Sequence, residues 1–234
     1  MVDQALFLRI LCDFAQTLIR RYEIGDVLYE LSERVTGVLG ISGAGVSLRE
    51  GDHVRFVTGV NQVVVRVEAA QEETQEGPCT EASMTGKVVT VPDLRDVVGK
   101  WERYSAAALE AGFVGVAAVP MMVDGQALGA INLYSETPRQ WSEDDTAAAG
   151  VLAAMATSYI INASELEKAQ RTSEQLQEAL ESRIMIEQAK GILAADGRMG
   201  MDQAYEVLRR HARNHNASLR SVAEAVVNLG LRPQ

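Results

Sequence analysis

Four arginines and two histidines crowd one acid-free stretch. Arg209, Arg210, His211, Arg213, His215 and Arg220 all lie between Val207 and Ala223. Guanidinium groups bind anions, and phosphate suits them because the planar fork donates two parallel hydrogen bonds. Lys190, Arg209, Arg210, Arg213 and Arg220 are therefore candidate phosphate contacts. Tyr205 stands one helical turn before Arg209, so both can share a face, and its ring could stack on an unpaired base. The competing readings are core packing beside Leu208 for the tyrosine and a solvated helical face for the arginines.

Other chemistries find less support. His211 and His215 have the i, i+4 spacing of a metal pair, but arginines flank them and no nearby acid or cysteine completes a ligand set. His53 stands alone at the edge of a turn. Cys79 follows Gly77-Pro78 in an expected loop, and its neighbours Glu76 and Glu81 would disfavour a thiolate, so a structural or pocket-lining role is expected. Cys12 reads as a core residue on the apolar face of a helix. With three histidines, two of them in the basic run, no nucleophile, base and orienter stand out. Gly40, Gly43 and Gly45 lack the Gly-Lys-Ser/Thr ending of a phosphate loop and read as a turn before a strand. The expectation is a protein that is not an enzyme and holds no metal.

Three helical patterns carry the basic run. The first ends in Ile186–Ala195 and stops at Asp196-Gly197, a C-cap signal. The second opens at Gly200 and puts Met201, Ala204, Tyr205, Leu208 and Ala212 on one face. The third opens at Ser218, a good N-cap, with Leu219, Val222, Ala223, Val226 and Val227 as its apolar stripe. From Leu176 onward there are eight Lys/Arg against seven Asp/Glu, leaving fourteen against twenty-five in the rest. A cationic helical module on an acidic body can bind nucleic acid locally without coating the whole surface.

Three motifs in this region occur in order: Glu187-Gln188-Ala189-Lys190-Gly191-Ile192-Leu193, then Ala204-Tyr205 with Leu208-Arg209, then Asn216, Leu219, Val222, Ala223 and Glu224. Together they resemble the ANTAR domain, the three-helix RNA-binding output domain of bacterial antitermination regulators. The resemblance implies binding to paired RNA hairpins that overlap a terminator. Gly200 stands where a Ser or Thr cap is common in that family.

Nearer the N-terminus, Leu6, Ile10, Phe14 and Leu18 mark an amphipathic helix over 3–22 with Arg20-Arg21 at its end. Asp26 is expected to cap a second helix carrying Val27, Leu31, Val35 and Val38, stopped by Gly40. Gly43–Arg49 and His53–Val60 read as a hairpin, and Lys87–Val91 as a short apolar run. Trp101–Ala111 reads as a helix. Phe113–Val123 and Gln126–Tyr134 pair across Asp124-Gly125, a strong hairpin signal. This order predicts an α+β domain, an antiparallel sheet with helices on one side. Gly77-Pro78-Cys79, Ala82, Thr85-Gly86, Val91-Pro92-Asp93-Leu94, Val119-Pro120 and Leu128-Gly129-Ala130 with Asn132-Leu133-Tyr134 together resemble a GAF domain, of the kind fused to ANTAR in actinobacterial regulators. The resemblance implies a small-molecule pocket between sheet and helices or a dimerisation scaffold. Cys79 and Asn132 are the candidate pocket residues, and no specific cofactor is implied.

Ser142 and Asp145 form a capping-box-like start to a further helix. Leu152, Met155, Tyr159, Asn162, Leu166, Ala169, Ser173, Leu176 and Leu180 then fall alternately three and four apart, a heptad seam. A 40-residue helix over 151–190 would span roughly 60 Å, too long to bury its stripe on one small domain. A second copy paired along 151–182 is the expected partner, with a solvated connector as the alternative. The expected organisation is a GAF-like sensor over 1–141, a connecting coiled coil over 142–182 and an all-α three-helix RNA-binding domain over 183–234.

The 234 residues are 47% hydrophobic, enough for a core. A net charge of −10 argues against general nucleic-acid or membrane-surface binding. No run of about 20 apolar residues stands out, and the N-terminus lacks the features of a signal peptide. Two cysteines fit a reducing cytoplasm. The function expected is a cytoplasmic, signal-responsive, homodimeric RNA-binding antitermination regulator that makes no membrane contact. The alternative is a ligand- or protein-binding dimeric scaffold without nucleic acid.

Overall fold

A computed structural model describes residues 4–17 and 22–233, with side chains from 4–16 and 22–233. The chain divides into two compact units, Met1–Ser164 and Glu165–Gln234.

The first unit is built on a five-stranded antiparallel sheet of order β2-β1-β5-β4-β3. Its strands are β1 (Gly43–Glu50), β2 (His53–Gly59), β3 (Val89–Val91), β4 (Gly115–Val123) and β5 (Gln126–Ser135). The two hairpins lie where turn chemistry puts them. Asp124 and Gly125 both take positive φ, 48° and 79°, which a two-residue hairpin turn of this hand requires.

Helices cover both faces of the sheet, not one. Ala44, Val46, Ala117, Val119, Met121, Ile131 and Leu133 pack on α1 (Gln4–Thr17), α2 (Ile24–Leu39) and the start of α6 (Glu143–Gly197). Val116 and Tyr134 face the other way, onto α3 (Gln62–Thr74) and α5 (Glu102–Glu110), while Ala118 and Ala130 meet α4 (Pro78–Thr85). Alternate residues of one strand point to opposite faces, so the consecutive buried residues of β4 and β5 mark strands covered on both sides. Spacing alone marks no element over 61–86, where the structure has α3 and α4. There α3 begins with a β-branched run, and its buried side carries Glu68 and Gln71 beside Val64 and Val67, which breaks the apolar stripe. What starts it is local: the Asn61 side chain accepts from the backbone of Val63 and Val64.

Three smaller expectations change. Asp26 lies in the first turn of α2 rather than at its cap, which is Glu23. Cys12 is exposed, on the solvent side of α1, whose buried residues are Ile10 and Phe14. Gly43 and Gly45 belong to β1 itself rather than to the turn. Leu18, Arg20 and Arg21 of the expected first helix lie outside the described residues.

Helix α6 runs unbroken for 55 residues from a reciprocal cap: Ser142 N–H donates to the Asp145 carboxylate (3.3 Å) and Asp145 N–H to the Ser142 hydroxyl (3.1 Å). The seam of α6 divides in two. Leu152 and Tyr159 are fully buried in the first unit and Met155 packs beside them, so this half is consumed by the sheet's own core. Leu166, Leu176 and Leu180 are 62%, 67% and 59% exposed. One 18-residue window of α6 reaches a mean hydropathy of 1.3, enough by composition for a membrane span, although 39% of it is buried.

In the second unit, the end of α6 packs with α7 (Met201–Asn214) and α8 (Leu219–Leu229) around Ala189, Leu193, Ala204, Leu208, Ala212, Val222, Ala223 and Val226. The three expected helices are all present. Ser218 caps α8 by accepting from Ser221 N–H (3.0 Å). Gly200 brings no side chain to the start of α7, and its own N–H is taken up by the Gln203 side chain (3.3 Å).

Candidate nucleic-acid interface and sensor interior

In the second unit the packed face of α7 is Ala204, Leu208 and Ala212, which turns Arg209, Arg210 and Arg213 outward. All three are exposed, and Arg210 and Arg213 have no ion pair among the described residues. Arg209 is held only by an exposed contact with Glu206 at 3.5 Å, a type of pair that contributes little. Tyr205 is half-buried and stands outside the apolar cluster. The Lys190 ammonium lies 5.7 Å from its ring centroid, a cation–π contact that ties α6 to α7, and also bonds both oxygens of Glu187 at 2.9 Å. Lys190, Tyr205, Arg209 and Arg213 thus form a continuous strip across two helices.

Arg220 is set apart from that strip. It reaches from α8 to Glu178 (3.5 Å) and Glu181 (3.6 Å) on α6 and bonds Glu224 on its own helix (2.9 Å). At about 100° per residue, Lys190 lies about 100° to one side of buried Ala189 and Glu181 about 80° to the other. Sequence reasoning missed Arg183, which lies two turns before Lys190 on the same side of α6 and is exposed. The signal was its i, i+7 spacing from Lys190. His211 and His215 stack with centroids 4.0 Å apart, and no group of three metal-ligating side chains exists among the described residues.

In the first unit, Cys79 and Asn132 do come together, around a residue the sequence did not single out. The Glu68 carboxylate is 1% exposed between α3 and the sheet. One oxygen accepts from the Asn132 amide (2.6 Å) and the Tyr134 hydroxyl (2.8 Å), the other from Ser47 (3.1 Å) and Gln71 (3.1 Å). Burial pushes the Glu68 carboxyl above its ordinary range, and the four donors pull it partway back. Gly45 makes the fit possible: a Cβ there would sit 2.9 Å from the Glu68 carboxylate. That Gly-x-Gly pair at the start of β1 was the legible trace of the cluster.

Cys79 occupies the first turn of α4, not a loop, and is 1% exposed. Burial first, then the nearby Glu68 charge, pushes its thiol up to about 12, so it is held as a neutral thiol. The same two causes hold Tyr104 and Tyr134 well above the ordinary phenol value. Separate from this sealed cluster, an open cleft of about 630 Å³ lies along β3, lined by Val88, Pro92, Asp96, Lys100 and Trp101 among others.

Comparison with known families places both units. A GAF domain matches residues 7–160 and an ANTAR domain matches residues 174–227. The chain belongs to the GAF domain family and carries an ANTAR domain behind it, an arrangement of two regulatory domains. Among solved structures it is similar to the GAF domain of a phosphoenolpyruvate-protein phosphotransferase from Coxiella burnetii, with 15% identity, 71% of this chain and 99% of that one covered, and a TM-score of 0.56. It is also similar to the free methionine-R-sulfoxide reductase of Neisseria meningitidis, with 17% identity, 69% and 92% covered, and a TM-score of 0.53. At these identities the likeness shows a shared fold. No curated protein sequence matches the chain.

Proposed function

We propose that this chain is a signal-responsive, non-enzymatic regulator of transcription antitermination that grips paired RNA hairpins through its ANTAR domain. The observation that carries the reading is the exposed group Arg209, Arg210 and Arg213 on α7, with half-buried Tyr205 and Lys190 at its edge and exposed Arg183 beyond, in an acid-free run of an otherwise acidic chain. Hairpin loops present phosphates to the guanidinium groups and unstacked bases to the tyrosine ring. A single patch of this size binds weakly, so two copies acting on two hairpins supply the affinity. The exposed half of the α6 seam, Leu166, Ala169, Ser173, Leu176 and Leu180, is the surface along which the copies pair. A signal that alters this pairing would move both heads together.

A small-molecule signal fits the open cleft beside Trp101 better than Cys79 and Asn132, whose side chains are sealed against Glu68. The setting that suits two unpaired thiols and RNA as partner is the cytoplasm. The test is a gel shift of the full chain with a synthetic RNA carrying two stem-loops and with each stem-loop alone. The two-loop RNA should bind at least about tenfold more tightly than either half. Equal affinity for all three would remove the paired-hairpin reading.

A further inference from the structure

Arg220 has the charge of an RNA contact and the surroundings of a structural fastener. Three carboxylates meet its guanidinium: Glu178, Glu181 and Glu224. The local sum is negative, so this corner offers no net attraction to phosphate. A cation in the first turn of a helix also opposes the helix dipole, and α8 begins at Leu219. The neighbouring acids account for its presence there. Burial and geometry point the same way: the side chain keeps only 34% of its surface, against 55% for Arg209.

The partners on α6 matter as much as the count. The apolar cluster of this unit takes in no residue of α6 before Met185. Leu176 and Leu180, on either side of Glu178, are exposed. Beyond the end of the apolar core, among the described residues, Arg220 is the side chain whose ion pairs tie α8 to this segment of α6.

We propose that Arg220 is a positioning residue: it fastens α8 to Glu178 and Glu181 and sets the shape of the three-helix unit without touching RNA. The RNA half of this statement rests on the function proposed above; the fastening half does not. It follows that the clasp also ties the arginine-bearing head to the stretch of α6 that carries the exposed leucines.

Charge exchange separates a fastener from a phosphate contact. Arg220→Glu alone leaves four carboxylates facing one another. Adding Glu181→Arg restores an ion pair and returns the net charge to that of the parent. Both are compared with the parent as full chains, by amide hydrogen exchange over 219–229 without RNA and by titration with the synthetic two-stem-loop RNA. Arg220→Glu should speed exchange in α8 and weaken RNA binding about tenfold, and the exchanged pair should recover most of both. The slope of affinity against salt should match the parent's in the exchanged pair, because no phosphate contact was lost. Recovery of hydrogen exchange without recovery of RNA affinity would overturn the proposal and make Arg220 a phosphate ligand. Unchanged exchange in Arg220→Glu would overturn it from the other side. If no version binds RNA while exchange follows the charge swap, the fastening stands and the RNA reading fails.

Discussion

The GAF and ANTAR units each concentrate charge in one place and treat it in opposite ways. In the GAF unit the most deeply buried carboxylate, Glu68, is sealed inside and given four hydrogen-bond donors. In the ANTAR unit Arg209, Arg210 and Arg213 are left outside with one weak ion pair among them. A buried charge is kept only where every lone pair is answered, and removing it strands the donors that answered it. An exposed charge contributes little to folding and stays available to a partner. The first cluster therefore belongs to the architecture of the GAF unit, and the second is left available for the role proposed above for the ANTAR unit.

Removing each charge should expose that difference. Glu68→Leu leaves Asn132, Tyr134, Ser47 and Gln71 without their acceptor, and should destabilise the GAF unit by about 3–5 kcal/mol in urea denaturation. A loss under about 1 kcal/mol would mean that the cluster is not what holds α3 to the sheet.

The seam of α6 supports a second contrast, between leucines the chain covers itself and leucines it leaves bare. Leu176→Asp with Leu180→Asp should raise the dimer dissociation constant by about two orders of magnitude in sedimentation, with urea stability of the GAF unit unchanged. A parent chain that sediments as a monomer at micromolar concentration would dispose of the pairing altogether.

A subtler effect follows from the raised Glu68 carboxyl. Its folded value lies above its unfolded one, so the stability it contributes is complete below the ordinary glutamate range and is lost as pH rises through the folded value. Measured from about pH 4.5 upward, the parent should lose stability relative to Glu68→Gln. A gap that stays constant with pH would show that Glu68 keeps the same charge state folded and unfolded.

The fold was legible where a local rule had no competitor. Asp124-Gly125 fixed a hairpin, Ser142 with Asp145 fixed the start of α6, and Ser218 fixed the start of α8. It was least legible where burial overrode periodicity. Valines at the head of α3 look like a strand, and Glu68 on the inner face looks like solvent, because nothing in the sequence says which donors will surround it. The α6 seam shows a related limit. Spacing tells that Leu152 and Leu176 lie along one side, but not that the chain's own sheet covers the first and leaves the second exposed. In the head, spacing marks Ala204, Leu208 and Ala212 as the packed side of α7, whereas the acids on α6 that claim Arg220 stand some forty residues away and cannot be seen from its neighbours.

The most direct test of the output face is the salt dependence of RNA binding. Affinity of the parent and of Arg209→Ala/Arg213→Ala for the two-stem-loop RNA should be followed over a range of salt concentrations. The double variant should bind at least about tenfold more weakly, with a shallower slope of log affinity against log salt, as two phosphate contacts are lost per head. Identical affinities and identical slopes would contradict the claim that these guanidinium groups hold the RNA.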